Sequence, residues 1–313
     1  MSGSPRVVLV TGASSGIGRA AALRTSAEGD HVVLVARGAE ALEQVARECV
    51  TAGAASSLVV ATDVGDDAAV ADCVARVLTE HGRIDLVLHC AGVVAYGRTE
   101  DVPVAVFDQV VRTNLLGSVN VARHTLPVLR RQEAGDLLFV GSVIGHIAVP
   151  SMSAYVLSKW GVRALARQLQ IENRDRPDVH ILYVAPGGVD TPIYEQAANY
   201  AGFVGRPPPP VASPEHVARV ALKRVDRARS RSQIGWSNNL IRVGFTAVPW
   251  VYDALVGPLY RLAASDRTRP VDPHPGNVLE PRPEGDRLHG DQGNALVGIA
   301  RNVGERVRST RST

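Results

Sequence analysis

The chain has 313 residues, 45% of them hydrophobic, with 34 Lys plus Arg against 31 Asp plus Glu and a formal net charge of +3. That length suits one α/β domain with an appendage, and arginines scattered among acids rather than gathered in a block with aromatics argue against a nucleic-acid surface. Cys49, Cys73 and Cys90 form no C-x-x-C pair, so neither a disulfide framework nor a cysteine zinc site is suggested and a reduced cytoplasm fits; the opening MSGSPRVVLVTG shows no export signal.

From residue 6 to about 230, short apolar runs alternate with longer segments of helical period. Residues 7–10, 32–35, 58–61, 84–88, 137–140 and 179–184 read as buried parallel strands rich in Val, Leu and Ile. Between them, 19–29, 39–52, 66–81, 103–129 and 153–173 are long enough for crossover helices. The predicted fold is α/β, a doubly wound parallel Rossmann-type sheet with helices on both faces and a ligand crevice at the carboxyl ends of the strands. No internal repeat is present.

The first strand runs into TGASSGIG, residues 11–18. Gly12 permits the tight turn, Gly16 lets the backbone approach a pyrophosphate, and Gly18 allows close packing of helix on strand. The helix N–H groups and macrodipole then face the phosphates. The second strand ends in Ala36 and Arg37, without the acid that usually holds the ribose 2′-hydroxyl of NAD. A guanidinium there can pair with the 2′-phosphate of NADP, with Ser14 and Ser15 adding hydroxyls; NAD is the alternative.

Further along, only Lys159 and Lys223 are lysines in an otherwise arginine-writing chain. Tyr155 and Lys159 stand i, i+4 on one helix face. A free phenol has a pKa of about 10, and a neighbouring ammonium is expected to lower it.

Taken together, T-G-x-x-x-G-x-G at residues 11–18, Asp63, Ala91–Gly92, Asn114, Ser142, Y-x-x-x-K at Tyr155 and Lys159, and P-G-x-x-x-T at residues 186–191 resemble the short-chain dehydrogenase/reductase family, in its shorter, non-extended form. The resemblance spans residues 6 to about 235. It implies that Tyr155 exchanges the proton, that Lys159 serves both the tyrosine and a nicotinamide ribose, and that Ser142 hydrogen-bonds the substrate oxygen. It also implies that Asn114 breaks its helix slightly and holds a water linked to the lysine. Among cofactor contacts it adds Ile17 in the glycine loop, Asp63 and Val64 at the adenine, although Asp63 could equally cap the next helix, and Ala91 and Gly92 at the adenine ribose. Pro186, Gly187, Val189 and Thr191 resemble the family's loop whose backbone, at Val189, and hydroxyl, at Thr191, reach the nicotinamide carboxamide and phosphate. One departure is HCAG at residues 89–92, where the family more often writes N-N-A-G. Cys90 lacks the amide that ties the central strand to its neighbour, which predicts a looser strand end.

Residues 192–210 are expected to form a mobile flap with an apolar underside that includes Ile193 and Tyr194. With Ile144 and Met152 beside Ser142 and Tyr155, this points to a bulky apolar carbonyl or alcohol as the small-molecule substrate. His146 reads as a pocket-lining or solvated loop residue. The predicted layout is a catalytic dinucleotide-binding domain over 1–235, an apolar helical lid or interface over 236–264, and an irregular extension over 265–313 carrying a short helix near 295–307. Residues 238–264 also admit peripheral membrane contact, but their apolar run is too broken to span a bilayer. The predicted function is an NADP-dependent, cytoplasmic, homo-oligomeric oxidoreductase interconverting a carbonyl and an alcohol; the alternative is a catalytically silent dinucleotide-binding sensor or scaffold.

Overall fold

In the computed structural model, the described residues are 4–228, 233–293 and 295–311; the predicted leader residues 1–3 and the extension's last two residues lie outside them. Alternating crossover units build the first half: β1 (Val7–Thr11), α1 (Gly16–Ser26), β2 (His31–Ala36), α2 (Ala39–Ala52), β3 (Ser56–Ala61), α3 (Asp67–His81) and β4 (Leu86–His89). A short β5 (Ala95–Tyr96) precedes α4 (Val104–Val111), a π-helical turn over Arg112–Leu116, and α5 (Gly117–Gln132). The second half continues with β6 (Gly135–Val140), α6 (Ser153–Glu172), β7 (Val179–Pro186), β8 (Gly188–Val189) and α7 (Ile193–Gln196). After these come β9 (Ala198–Asn199), β10 (Phe203–Gly205), β11 (Val211–Ala212), α8 (Pro214–Val225) and β12 (Gln233–Ile234).

The central sheet runs β12-β7-β6-β4-β1-β2-β3, with every pairing parallel. Its strands read as continuous apolar runs because both faces are covered. Leu9, Val33, Leu137 and Phe139 pack on one face against Val74 and Val77 of α3 and Val121 of α5. Alternate residues Val8, Val10, Leu34 and Leu138 pack on the other against Ala20–Ala22 of α1, Leu42 and Val45 of α2, and Val217 of α8. Strand order reverses between β1 and β4, which opens the crevice at their carboxyl ends.

One local expectation holds and one changes. The helix predicted over 103–129 is broken at Asn114 as the resemblance implied, by the π turn that holds this buried residue. The predicted mobile flap is instead tied down, since β9 pairs with β5 and β10 pairs antiparallel with a later strand, β13 (Ser265–Pro270). Backbone pairing replaces solvent for these carbonyl and amide groups, which a free flap would leave to water.

The extension begins with α9 (Trp236–Ala247) and α10 (Pro249–Ala263). Their outer faces leave Trp236 and Trp250 exposed, while Tyr260 is buried. Composition made 265–293 irregular, yet β13 is a strand because β10 lies open beside it, and α11 runs over Ala295–Arg311 rather than stopping near 307. Asn302 of α11 donates to the carbonyls of Leu262 at 3.0 Å and Ser265 at 2.8 Å. Among the described residues no helix is long and apolar enough to cross a membrane.

Candidate active site

The glycine loop leaves β1 through Gly12, at φ +67°, and a Cβ there would stand 2.8 Å from the Ala91 amide nitrogen. At Gly18 a Cβ would stand 2.1 Å from the Gly12 carbonyl oxygen, so only glycine lets α1 pack on the loop. No acidic side chain occupies the first turn of α1, and Ser15 at its N-cap makes no capping hydrogen bond from its side chain. This arrangement suits an anion held at a helix N-terminus.

Gly12, Ser14, Ser15, Gly16, Ile17 and Gly18 line the crevice with Arg37, Asp63, Val64, Ala91, Gly92 and Thr191, all of them predicted. Ala36, Gly38, Thr62, Val93, Thr113 and Gln196 join them, as do Asn277, Pro281, Arg282 and Asp286 from the extension. Pro186, Gly187 and Val189 are not on that wall: Val189 pairs with Ala212, and a Cβ at Gly187 would meet Asn238 Oδ1 of α9 at 2.6 Å. Asp66, not Asp63, caps α3, accepting from the Ala68 amide at 2.9 Å and the Ala69 amide at 3.2 Å. Asp63 accepts from the Gly65 amide at 2.8 Å and is left at the crevice. Burial draws the Arg37 pKa below its usual value, with Asp63 and Asp286 opposing.

Behind the residues that line the crevice, Ser142 follows β6 and Tyr155 and Lys159 lie on α6; all three are buried. The Ser142 hydroxyl accepts from the Ile144 amide at 3.2 Å and lies near enough to the Tyr155 phenol to lower its pKa, yet burial outweighs this and pushes the phenol up to about 12. That is opposite to the direction expected from a neighbouring cation. The reason is geometric: Lys159 Nζ lies 5.7 Å from the centroid of the Tyr155 ring and donates to the Val140 carbonyl at 3.2 Å rather than to the phenol oxygen. Its own burial draws it down to about 8. A Cβ on Gly92 would come 3.5 Å from Nζ, so the ammonium lies against the crevice floor at Gly92.

Asn114 is fully engaged. Its Oδ1 accepts from the Val93 amide at 2.8 Å, and its Nδ2 donates to the Val93 carbonyl at 2.9 Å and to Ser158 Oγ at 3.0 Å. The side chain therefore staples the π turn to the chain after β4 and to α6.

The predicted looseness at HCAG does not occur, because His89 does the tying. Its Nδ1 shares a hydrogen with Thr11 Oγ1 at 2.8 Å and its Nε2 with Ser118 Oγ at 2.9 Å, joining β4 to β1 and α5. Sequence reading passed over His89 although it stood in the one motif that departed from the family pattern. Burial lowers its pKa to about 3, so it is neutral. Cys90 is a free thiol at the crevice wall, pushed up to about 12 by burial. His146 is buried rather than solvated, lies against the Tyr183 ring at 6.0 Å between centroids, and is drawn down to about 4.

Beside the phenol, Ile144, Met152 and Tyr194 gather with Tyr155 in one apolar cluster, as predicted. Tyr96 and Val94 complete it from the chain after β4, and Tyr260 and Ala264 from the extension. The Tyr260 hydroxyl is buried without a partner. No motif marks Tyr260, since its place depends on the extension folding back onto the domain.

Residues 6–200 match the short chain dehydrogenase family, well over half of the chain. The chain belongs to that family. As a short chain dehydrogenase it is an oxidoreductase, and its relatives share most of its length. It is 31% identical to sepiapterin reductase of Chlorobaculum tepidum, over 66% of this chain and 87% of the relative. It is 30% identical to 3-ketodihydrosphingosine reductase of Bos taurus, over 73% of this chain and 70% of the relative. An alcohol dehydrogenase from Thermococcus sibiricus, solved in complex with 5-hydroxy-NADP, superposes with a TM-score of 0.64 and 28% identity, covering 74% of this chain and 95% of that one. A metagenomic short-chain oxidoreductase in complex with NADP gives a TM-score of 0.62 at 29% identity, covering 75% of this chain and 97% of that one.

Proposed function

We propose that this dehydrogenase interconverts a carbonyl and an alcohol on a bulky apolar substrate, using NADP(H). The observation that carries the reading is Ser142 set beside Tyr155 at an apolar cluster, with the Lys159 ammonium against Gly92 of the crevice wall. A bound nicotinamide dinucleotide supplies or accepts the hydride. Ser142 donates to the substrate oxygen and stabilises the charge that grows there. Tyr155, held neutral, gives that oxygen its proton in reduction and takes it back in oxidation. Lys159 places a positive charge at the crevice floor, where it favours the phenolate that remains after proton transfer. Ser15, Ile17 and Thr191 hold the phosphates, with Asp63 and Val64 at the adenine, while the Gly16 amide is given to the Arg287 carbonyl.

NADP is favoured by the absence of a carboxylate on Ala36 and the presence of Arg37 beside it at the crevice. A charge-assisted contact contributes about 1.5 to 3 kcal/mol, reduced by solvent exposure toward the lower end. Titration of both cofactors is expected to show tighter binding of NADP, by a margin that shrinks with added salt. Arg37→Ala is expected to weaken NADP about tenfold, the equivalent of about 1.4 kcal/mol, and to leave NAD nearly unchanged; equal losses for both cofactors would return Arg37 to a structural role.

The substrate class rests on Ile144, Met152, Tyr194 and the extension's Tyr260 around Tyr155. Oxidation of NADPH followed with aromatic and long-chain ketones against short polar ones tests it, and equal rates for both groups would remove the apolar assignment. Three free cysteines accord with a cytoplasmic enzyme. The exposed outer faces of α9 and α10 accord with a homo-oligomer. Truncation after residue 235 should therefore damage folding or use of apolar substrates more than cofactor affinity; unchanged rates in a folded truncation would dismiss the lid role.

A further inference from the structure

Outside the part of the chain that matches the family, residues 275–292 cross the mouth of the crevice as a strap. At one end Arg37 donates to the carbonyls of Asn277 and Val278, the latter at 3.0 Å. At the other, Gln292 Nε2 donates to the Thr191 carbonyl at 3.1 Å. Between them the Arg287 carbonyl accepts from the Gly16 amide at 3.1 Å, at the first residue of α1. The Asp286 carbonyl accepts from Arg19 Nη1 at 3.0 Å. Ion pairs hold the strap from outside: Arg287 with Glu195, and His289 with Asp190 at 2.9 Å and Glu215 at 2.8 Å.

Asp286 lines the crevice together with Ser14 and Arg37, and Ser14, Arg19 and Arg37 are all close enough to act on its charge. In a sheet of this topology, the 2′ position of the adenosine ribose lies at the end of the second strand, beside the glycine loop. Here that is the space among Ser14, Ala36, Arg37 and Gly38. The carbonyls of Asn277 and Val278 already use the Arg37 donors a 2′-phosphate would need, and the Asp286 carboxylate adds a negative charge beside Ser14 and Arg37. Two anions cannot share them without strong repulsion. A 2′-hydroxyl carries no charge and can donate to a carboxylate.

We propose that Asp286 sets the discrimination between dinucleotides with and without a 2′-phosphate: its carboxylate stands in for that phosphate at Ser14 and Arg37, and NADP enters only as the strap lifts. NAD leaves the strap seated and meets in Asp286 the acid that β2 lacks. This rests on the dinucleotide reading of the crevice and adds a counterweight to Arg37, so the wild-type margin for NADP is narrower than Arg37 alone would give.

Hydrogen–deuterium exchange on the full chain, with saturating NADP or NAD, tests the strap directly. Amides of residues 275–292 should exchange faster with NADP and no faster with NAD. In parallel, fluorescence or calorimetric titration of Asp286→Asn, and of Asp286→Ala as a second variant, should show the NADP to NAD affinity ratio rising about tenfold. Melting curves without cofactor show that the variants are folded. An unchanged ratio, or a strap protected by NADP as well as by NAD, would overturn the proposal while leaving dinucleotide binding intact. Binding of neither dinucleotide to any of these proteins would overturn the crevice reading itself, and the proposal with it.

Discussion

Tyr155→Phe is expected to lower turnover by about two decades or more, the usual scale for loss of a general acid or base, while cofactor affinity changes little. The ring keeps its place in the cluster with Met152 and Tyr194, and only the hydroxyl beside Ser142 is lost. Lys159→Arg should fail as well, for a steric reason. The ammonium sits between the Val140 carbonyl at 3.2 Å and Gly92, where a Cβ would already be 3.5 Å from Nζ. A planar guanidinium is bulkier and cannot take that position without displacing the crevice floor. Steady-state rates together with dinucleotide titrations separate the two effects: lost turnover with retained binding supports the assigned roles, and near-normal turnover in either variant refutes them.

The second large effect is on stability, at His89. This imidazole is 2% exposed and is held neutral between Thr11 and Ser118. His89→Ala leaves two buried hydroxyls without that partner and a cavity at the junction of β4, β1 and α5. Each lost partner costs about 1 to 3 kcal/mol, so a total near 3 to 4 kcal/mol is expected. The pH dependence has a definite sign. The folded-state pKa is lowered from 6.5 to about 3, so below pH 6.5 the unfolded chain takes up a proton that the folded chain refuses. Stability is therefore intact above pH 6.5 and falls as the pH drops toward 3, by about 1.4 kcal/mol per pH unit, or about 2 kcal/mol at pH 5. His146, also drawn down by burial, adds in the same direction. Urea melts of wild type and His89→Asn between pH 7 and pH 5 check this, since asparagine cannot titrate. Parallel losses in both proteins would show that His89 contributes nothing to the acid sensitivity.

His89 also marks the boundary between what the chain declares and what folding arranges. Periodicity and strand composition determined the doubly wound sheet, because each parallel strand must be apolar on both faces and each crossover must be long enough for a helix. The spacing of Gly12, Gly16 and Gly18 determined the phosphate loop, and the i, i+4 pairing of Tyr155 and Lys159 put both on one face of α6. Such signals are local, so they survive in one dimension.

Tertiary structure decided the rest. Whether the Lys159 ammonium points at the phenol or at Val140 depends on the packing of α6 against β6. The tie made by His89 needs three elements that are distant in sequence. Tyr260 reaches the cluster around Tyr155 only because α10 returns across the domain. Above all, the prolines, glycines and charges of residues 275–292 carry no periodic pattern, yet that stretch lies over the crevice because Arg37, Gly16 and Thr191 offer it backbone and side-chain partners more than 100 residues away. The sequence placed no acid beside Arg37 on β2. Folding brought one there from residue 286.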